Sequence, residues 1–385
     1  MTTGIGPTKI NGPRGKFRLG RKFMLTCSGL LWRLCLPFGL ALALTANPLV
    51  ASAQQVIGLT AIDGYPPRAS WVKQFIEFYI PAVDKRLAAT GKYKINWTQA
   101  WSGQIAKPGG VLAAMEQGLG DIAIITVPFY SDRLPMNVLP FNMPFTSTDP
   151  ALMSKVMDDL ANKFPEFRGQ FDKANQVLLT NYSTIDSYQL FTKREVAKPA
   201  DLKGMRINAA GDNMRYLQPT GAAGVRGALA DYYNNIKTGV TEGCIMWLEG
   251  AVSFKLFEVA PYFVDVGFGT AVNKALTVNK NTWAKLPDEV RKALQEVAIE
   301  LRDRHAKMAV ETGAKSRAAF IAGGGKVVAV SESERRAWAK SLPNLAKEWA
   351  AAAEKSGLPG NAYLTAMMNG LRAGGAKPLR DWDKE

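Results

Sequence analysis

The sequence predicts an α/β protein of two lobes, and three observations predict it. Short apolar runs of strand length alternate with longer amphipathic runs of helix length, the pattern of sheets covered by helices. With an N-terminal segment of distinct composition set aside, roughly 330 residues remain, enough for two such layers. One uninterrupted helical stretch, 287–320, is long enough to lie along both lobes.

The elements follow in order. Val56–Thr60 reads as a buried strand, and Pro67–Leu87 as a helix with Trp71, Phe75, Phe78 and Leu87 on one side and a kink near Pro81. Ile95–Thr98 is a strand. Gly110–Leu119 is a helix closed by Gly120, and Asp121–Val127 is an apolar strand suited to burial on both faces. Asp149–Lys163 carries Leu152, Val156 and Leu160 in helical register. Val177–Asn181 and Tyr188–Thr192 are strands, with a crossing between lobes placed between them. Met205–Asn208 and Val240–Met246 belong to the second lobe, and Ala275–Val278 returns to the first. Strands alternating with helices imply parallel sheet.

The long helix opens at Pro287, with Asp288 and Glu289 at its positive end. Its stripe is Val290, Leu294, Val297 and Leu301, and it stops at Gly323–Gly325. Ser331 and Glu334 form a capping box for a C-terminal helix with Trp338, Leu342, Leu345 and Trp349, bent at Pro343. The expected division is 54–185 with 270–310 as lobe one and 186–269 with 311–385 as lobe two, the helix 287–320 being shared.

The first 53 residues hold seven basic side chains and no acidic one, then the apolar run Leu34–Ala46, then Ala51-Ser52-Ala53. Basic, apolar, small-x-small is the order of a secretory signal peptide. The apolar run is too short to span a bilayer, and Pro37 and Gly39 interrupt it. Met24 is an alternative start, and Arg21-Lys22 only partly matches a twin-arginine signal. Cleavage after Ala53 lowers the formal charge from +15 to +8. The remainder lacks a basic cluster interleaved with aromatics, so nucleic acid is not an expected partner. Cys244 stands alone after cleavage, which excludes an internal disulfide, and His305 is the only histidine, which excludes Cys/His metal sites. No cofactor is expected. Cys244 reads as a buried small residue and His305 as a surface or satisfied one.

Residues 201–262 are the most informative stretch. Asp201-Leu202-Lys203-Gly204-Met205-Arg206-Ile207-Asn208 places one lone cation, Arg206, on a short strand leaving a Lys-Gly turn. A Gly-rich turn, a short helix ending at Lys237-Thr238-Gly239, a second strand, and Phe257-Glu258-Val259-Ala260-Pro261-Tyr262 follow. This order resembles the solute-binding subunit of tripartite ATP-independent periplasmic (TRAP) transporters, the DctP-like receptors, with gaps from about Val56 to about Lys315. The resemblance implies a type II-like periplasmic binding protein with a long helix spanning both lobes. It also implies an organic acid ligand, a pair of integral-membrane TRAP permease subunits as partner, periplasmic location and no enzymatic activity. Whether the receptor is a monomer or a homodimer is left open.

In that family the strand Arg binds the ligand carboxylate, and a guanidinium fork suits a carboxylate. An ordinary surface Arg is the other reading of Arg206. Carried over position by position, the resemblance places Tyr188 where acidic-sugar receptors often have a second Arg, Met246 in place of a polar amide, Thr126 in place of a Glu and Leu229 in place of an aromatic. Trp101 follows the strand Ile95–Thr98, where the family has a loop facing the cleft; it either stacks on a ligand ring or packs under that loop. Trp247 and Tyr130 are weaker candidates of the same kind. One cation, a few hydroxyls and apolar walls suit a monocarboxylate with an apolar or aromatic body.

An enzyme reading finds little support. The chain has no glycine-flanked nucleophile serine, and Gly221–Gly227 lacks the Lys-Ser/Thr of a phosphate loop. A periplasmic hydrolase or lyase is the enzyme alternative. A receptor of another uptake class, ATP-driven or tricarboxylate type, is the nearer one, and the unbroken helix at 287–320 argues against it. The leader makes a direct prediction. Intact-mass measurement on protein from its native envelope should give an N-terminus at or near Gln54, and residues 1–53 still attached would contradict it.

Overall fold

A computed structural model describes residues 54–385, and the leader read over 1–53 lies outside them. Its strands, in chain order, are β1 Gln55–Ile62, β2 Tyr93–Ala100, β3 Ile122–Thr126, β4 Gln176–Tyr182, β5 Tyr188–Thr192, β6 Arg206–Ala209, β7 Ala223–Arg226, β8 Gly243–Met246, β9 Tyr262–Gly269, β10 Lys274–Asn279 and β11 Lys326–Ala329. They form two sheets, ordered β2-β1-β3-β10-β4 and β11-β9-β5-β8-β6-β7. The apolar β3 is buried along its whole length, as a strand covered on both faces must be.

The first sheet is mixed rather than parallel. β1 runs parallel to β2 and β3, but β10 runs antiparallel to β3 and β4. The reason is topological: β10 enters from the second sheet, so its direction is set by a crossing and not by a strand–helix–strand unit. β9 escaped the sequence reading because Asp265, Gly267 and Gly269 break its apolar pattern. Residues 240–242 lie outside any strand, and β8 begins only at Gly243.

The chain passes between the sheets through 183–187 and 270–273. The two crossings lie side by side and satisfy each other. Ser183 and Thr270 hydroxyls are 2.8 Å apart, and Thr270 Oγ1 donates to the Ile185 carbonyl at 2.7 Å. The Thr184 N–H donates to Asn273 Oδ1 at 3.1 Å, and Asn273 Nδ2 donates back to Thr184 Oγ1 at 3.0 Å. Ser187 Oγ accepts from the Gly269 N–H at 3.1 Å. These are buried polar groups outside a sheet ladder, so each lost partner is costly.

The long helix is Asp288–Ala322, with Val290, Leu294, Val297 and Leu301 all buried. Near its start it packs on β4 and on helix Ile80–Ala88, with Tyr79 Oη donating to the Leu294 carbonyl at 3.0 Å. Near its end Phe320 sits among Phe191, Phe263 and Phe257 of the second sheet and its loop. It therefore bridges both sheets. The kink expected near Pro81 is a wide turn at Phe75–Tyr79, immediately before the helix that carries Pro81 near its start.

Two expectations about the C-terminus need correction. Pro343 ends a helix rather than bending it, giving Glu332–Ser341 and Leu345–Lys355. The segment 311–385 also does not stay with the second sheet. Trp338 packs edge-on to Phe268 of β9, 5.1 Å between centroids. Beyond it, Trp349 Nε1 donates to the Pro135 carbonyl at 2.9 Å, and Tyr363 packs against Phe164 and Phe167. Apolar faces on Leu345–Lys355 and Gly360–Ala373 draw the chain back onto the turn Pro135–Asn142 and the helix Pro150–Lys163.

Gly211, just past β6, has φ +59°, and a Cβ there would lie 2.4 Å from the Pro128 carbonyl oxygen just past β3. Only glycine permits this approach of the two strand exits. Gly211→Ala should cost more than about 1 kcal/mol, read as a lowered melting temperature by calorimetry. An unchanged melting temperature would show that the contact relaxes freely.

Candidate functional site

Several strands end at one place. β1, β3, β6 and β8 finish there, and the antiparallel β5 and β10 begin there. Polar groups and ligands collect at such a point because the ends of the strands diverge where the connections change direction. The side chains there close down on a cavity of about 40 Å³. Phe129, Tyr188, Trp71, Trp247 and Met246 give the space apolar walls, and Thr126, Asn213, Asn273 and Lys274 give it polar groups.

Lys274 is the only cation among the described lining residues. It opens β10, directly opposite Thr126 at the end of β3. Its Nζ donates to Thr126 Oγ1 at 3.0 Å and sits 3.6 Å from the Trp71 ring centroid and 5.4 Å from that of Tyr65. An ammonium has three donors, so the Thr126 bond leaves two for a ligand. The aromatic faces stabilise its charge without consuming a donor.

Asp63, also buried, lies at the edge of the Trp71 ring. Its Oδ2 accepts from Trp71 Nε1 at 3.1 Å and its Oδ1 from the Tyr65 N–H at 2.7 Å. Burial pushes the Asp63 carboxyl up to about 7, and the Lys274 charge pulls it back. Burial pulls the Lys274 ammonium down to about 7, and the Asp63 charge opposes that. Burial and mutual attraction act in opposite directions on both groups, so the charge of the pair responds to what enters the pocket.

The aromatic walls brace one another. Tyr188 meets Trp247 at 6.3 Å and 82°, and Phe141 at 5.9 Å. Trp71 meets Trp247 at 6.2 Å. Trp247 Nε1 donates to Glu249 Oε2 at 2.9 Å, which fixes the ring from outside the pocket.

Five residues singled out from the sequence line this space: Tyr188, Thr126, Met246, Trp247 and Leu229. Arg206 does not. It is exposed at the start of β6, whereas the pocket gathers past the other end of that strand, about 13 Å further on at strand rise. Its Nη2 donates to the Gly239 carbonyl at 2.6 Å. Trp101 also lies outside the lining. It follows β2, the edge strand of its sheet, and packs edge-on to Phe75 at 5.7 Å, so its place is under the loop. Tyr130 is similarly occupied, its hydroxyl bonded to the Leu112 N–H and the Pro108 carbonyl. His305 is buried against Tyr182 rather than at the surface, and burial holds its imidazole neutral, down to about 3. Sequence reasoning missed Lys274, Asp63, Trp71 and Asn213. A signal for Lys274 was present: it is a lone charge inside the apolar run 271–278.

The model of bacterial extracellular solute-binding protein family 7, DctP, matches residues 82–352. A curated relative, a solute-binding protein of Chromohalobacter salexigens, is 24% identical over 165 residues, covering 42% of this chain and 47% of that protein. The match therefore spans about half the length of that relative. Among solved structures, a TRAP solute-binding protein of Rhodoferax ferrireducens with copurified benzoate superposes with TM-score 0.74 at 17% identity, covering 82% of this chain and 98% of that one. A TRAP periplasmic solute-binding protein of Bordetella bronchiseptica with bound (R)- and (S)-mandelate gives 0.71 at 21% identity, covering 82% and 99%. A marine metagenome TRAP solute-binding protein specific for aromatic acids, with 3-hydroxybenzoate, gives 0.73 at 19% identity, covering 83% and 99%. At these identities the structures share the fold.

Proposed function

The chain belongs to bacterial extracellular solute-binding protein family 7, and on that premise we propose that it captures a small organic monocarboxylate and delivers it to the membrane subunits of a TRAP permease. The observation that carries the ligand class is Lys274, a single buried cation in an aromatic-walled pocket at the crossing of two sheets. One carboxylate satisfies its two remaining donors. A second carboxylate would be buried without a partner. Apolar walls instead reward a ring or branched chain, at roughly 25 cal/mol per Å² covered. The sequence argument for an apolar or aromatic acid is kept, with the carboxylate moved from Arg206 to Lys274.

In this reading the two sheets, each with its covering helices, are two lobes hinged at 183–187 and 270–273, and the helix Asp288–Ala322 limits their motion. Ligand shifts an open–closed balance only through its preference for the closed form. The protein works in the periplasm. That agrees with the family's extracellular class.

Two variants separate the cations. Lys274→Met should weaken benzoate or mandelate binding by about thirtyfold or more, the loss expected for one half of a buried charge-assisted pair. Arg206→Ala should leave it unchanged. Calorimetry reads both, with thermal melting as the check on folding. Loss in Arg206→Ala with retention in Lys274→Met would reverse the assignment. In wild type, benzoate and mandelate should raise the melting temperature more than succinate or malate. A larger shift with the dicarboxylates would contradict the monocarboxylate class.

The pair also gives affinity a pH dependence. A bound anion raises both Lys274 and Asp63 above their resting values near 7, so binding takes up protons. Affinity for benzoate, itself anionic throughout, should therefore fall as pH rises from 7 to 9, by at most about tenfold per unit for each proton taken up. Titrations in two buffers of different ionisation enthalpy measure that uptake. A flat affinity over this range with no uptake would show that the pair keeps one charge state throughout.

A further inference from the structure

Asn213 has a polar side chain that the protein itself leaves unsatisfied. It lies in the turn Gly211–Thr220, directly after β6, is 0% exposed and lines the same pocket as Lys274 and Tyr188. Neither its Oδ1 nor its Nδ2 has a hydrogen-bond partner among the described residues. The neighbouring polar groups differ. Asn273 is spent on Thr184, Thr126 on Lys274, Trp71 Nε1 on Asp63 and Trp247 Nε1 on Glu249.

Resting on the organic-acid reading above, we propose that Asn213 is a specificity-determining residue that reads the carbon next to the ligand carboxylate and selects 2-hydroxy acids. The argument is a count of donors and acceptors. A carboxamide needs an acceptor for its N–H groups and a donor for its oxygen. A carboxylate offers only acceptors, and so does a 2-oxo group. Either would leave Asn213 Oδ1 buried and unpaired, which is costly. A 2-ammonium group would donate to Oδ1, but it would set a second cation in the pocket of Lys274. A 2-hydroxyl donates to Oδ1 without charge, while Nδ2 donates to the hydroxyl or the carboxylate. Sites built to pair a substrate hydroxyl discriminate strongly against analogues lacking it, because their own polar groups are then stranded.

Three acids of one size test this: mandelate, phenylglyoxylate and phenylacetate carry hydroxyl, oxo and bare methylene at that carbon. Calorimetry on the wild-type chain should find mandelate at least about tenfold tighter than either of the others, the factor of one buried hydrogen-bond pair. Asn213→Leu, close in volume, should bring mandelate down to the level of phenylacetate and leave phenylacetate unweakened, which also shows the variant folded. The proposal is overturned if wild type binds phenylglyoxylate or phenylacetate as tightly as mandelate, or if Asn213→Leu weakens all three alike. Binding of all three without rank would remove this proposal alone. Failure of all three to bind would remove the aromatic-acid reading as well.

Discussion

The chain crosses between its sheets at 183–187 and at 270–273, and neither crossing has a strand to satisfy its backbone. Each uses the other. Ser183, Thr184, Thr270 and Asn273 exchange hydrogen bonds in a buried seam. That seam fixes where β5 and β10 begin, so Tyr188 and Lys274 both emerge beside it. Because β5 and β10 run against their neighbours, their first residues meet the last residues of β3 and β8. Thr126, Met246 and Trp247 are thereby delivered to the same place. The pocket is a consequence of the double crossing.

Placing an ammonium there is expensive, and the surroundings show how the cost is limited. Trp71 and Tyr65 present ring faces to Lys274, and Thr126 takes one donor. Asp63 supplies countercharge from a distance rather than by direct contact, held by Trp71 Nε1 and a backbone N–H. A contact ion pair would spend the cation's remaining donors inside the protein. The arrangement here keeps them available and leaves the charge near its balance point, where an entering anion tips it. Asn213, bare of partners in the same pocket, follows the same logic: stability is given up where recognition gains.

Much of the fold was legible from period and punctuation. The long helix, its buried stripe and its glycine stop follow from apolar spacing, and β5 was found to the residue. The mixed sheet was not legible, because strand direction at β10 depends on where the chain has been. The path of 345–373 was not legible either, since an amphipathic helix states which face it buries but not against which neighbour. The site divided in the same way. Tyr188, Thr126, Met246 and Trp247 sit at strand ends or just beyond, and strand ends can be located in sequence. Arg206 sits at the far end of β6, and a strand of four residues is long enough to set it apart from this pocket. Lys274 was readable as a charge in an apolar run, but its surroundings emerge only when Trp71 and Asp63, some two hundred residues away in sequence, are brought near it.

The central claim is that Lys274 receives the ligand carboxylate at the crossing of the two sheets. A crystal structure of the protein with benzoate tests it most directly. The account predicts the carboxylate within hydrogen-bonding distance of Lys274 Nζ and the ring against Trp71, Tyr188 or Trp247. A carboxylate on Arg206, or on any group outside this pocket, would contradict it.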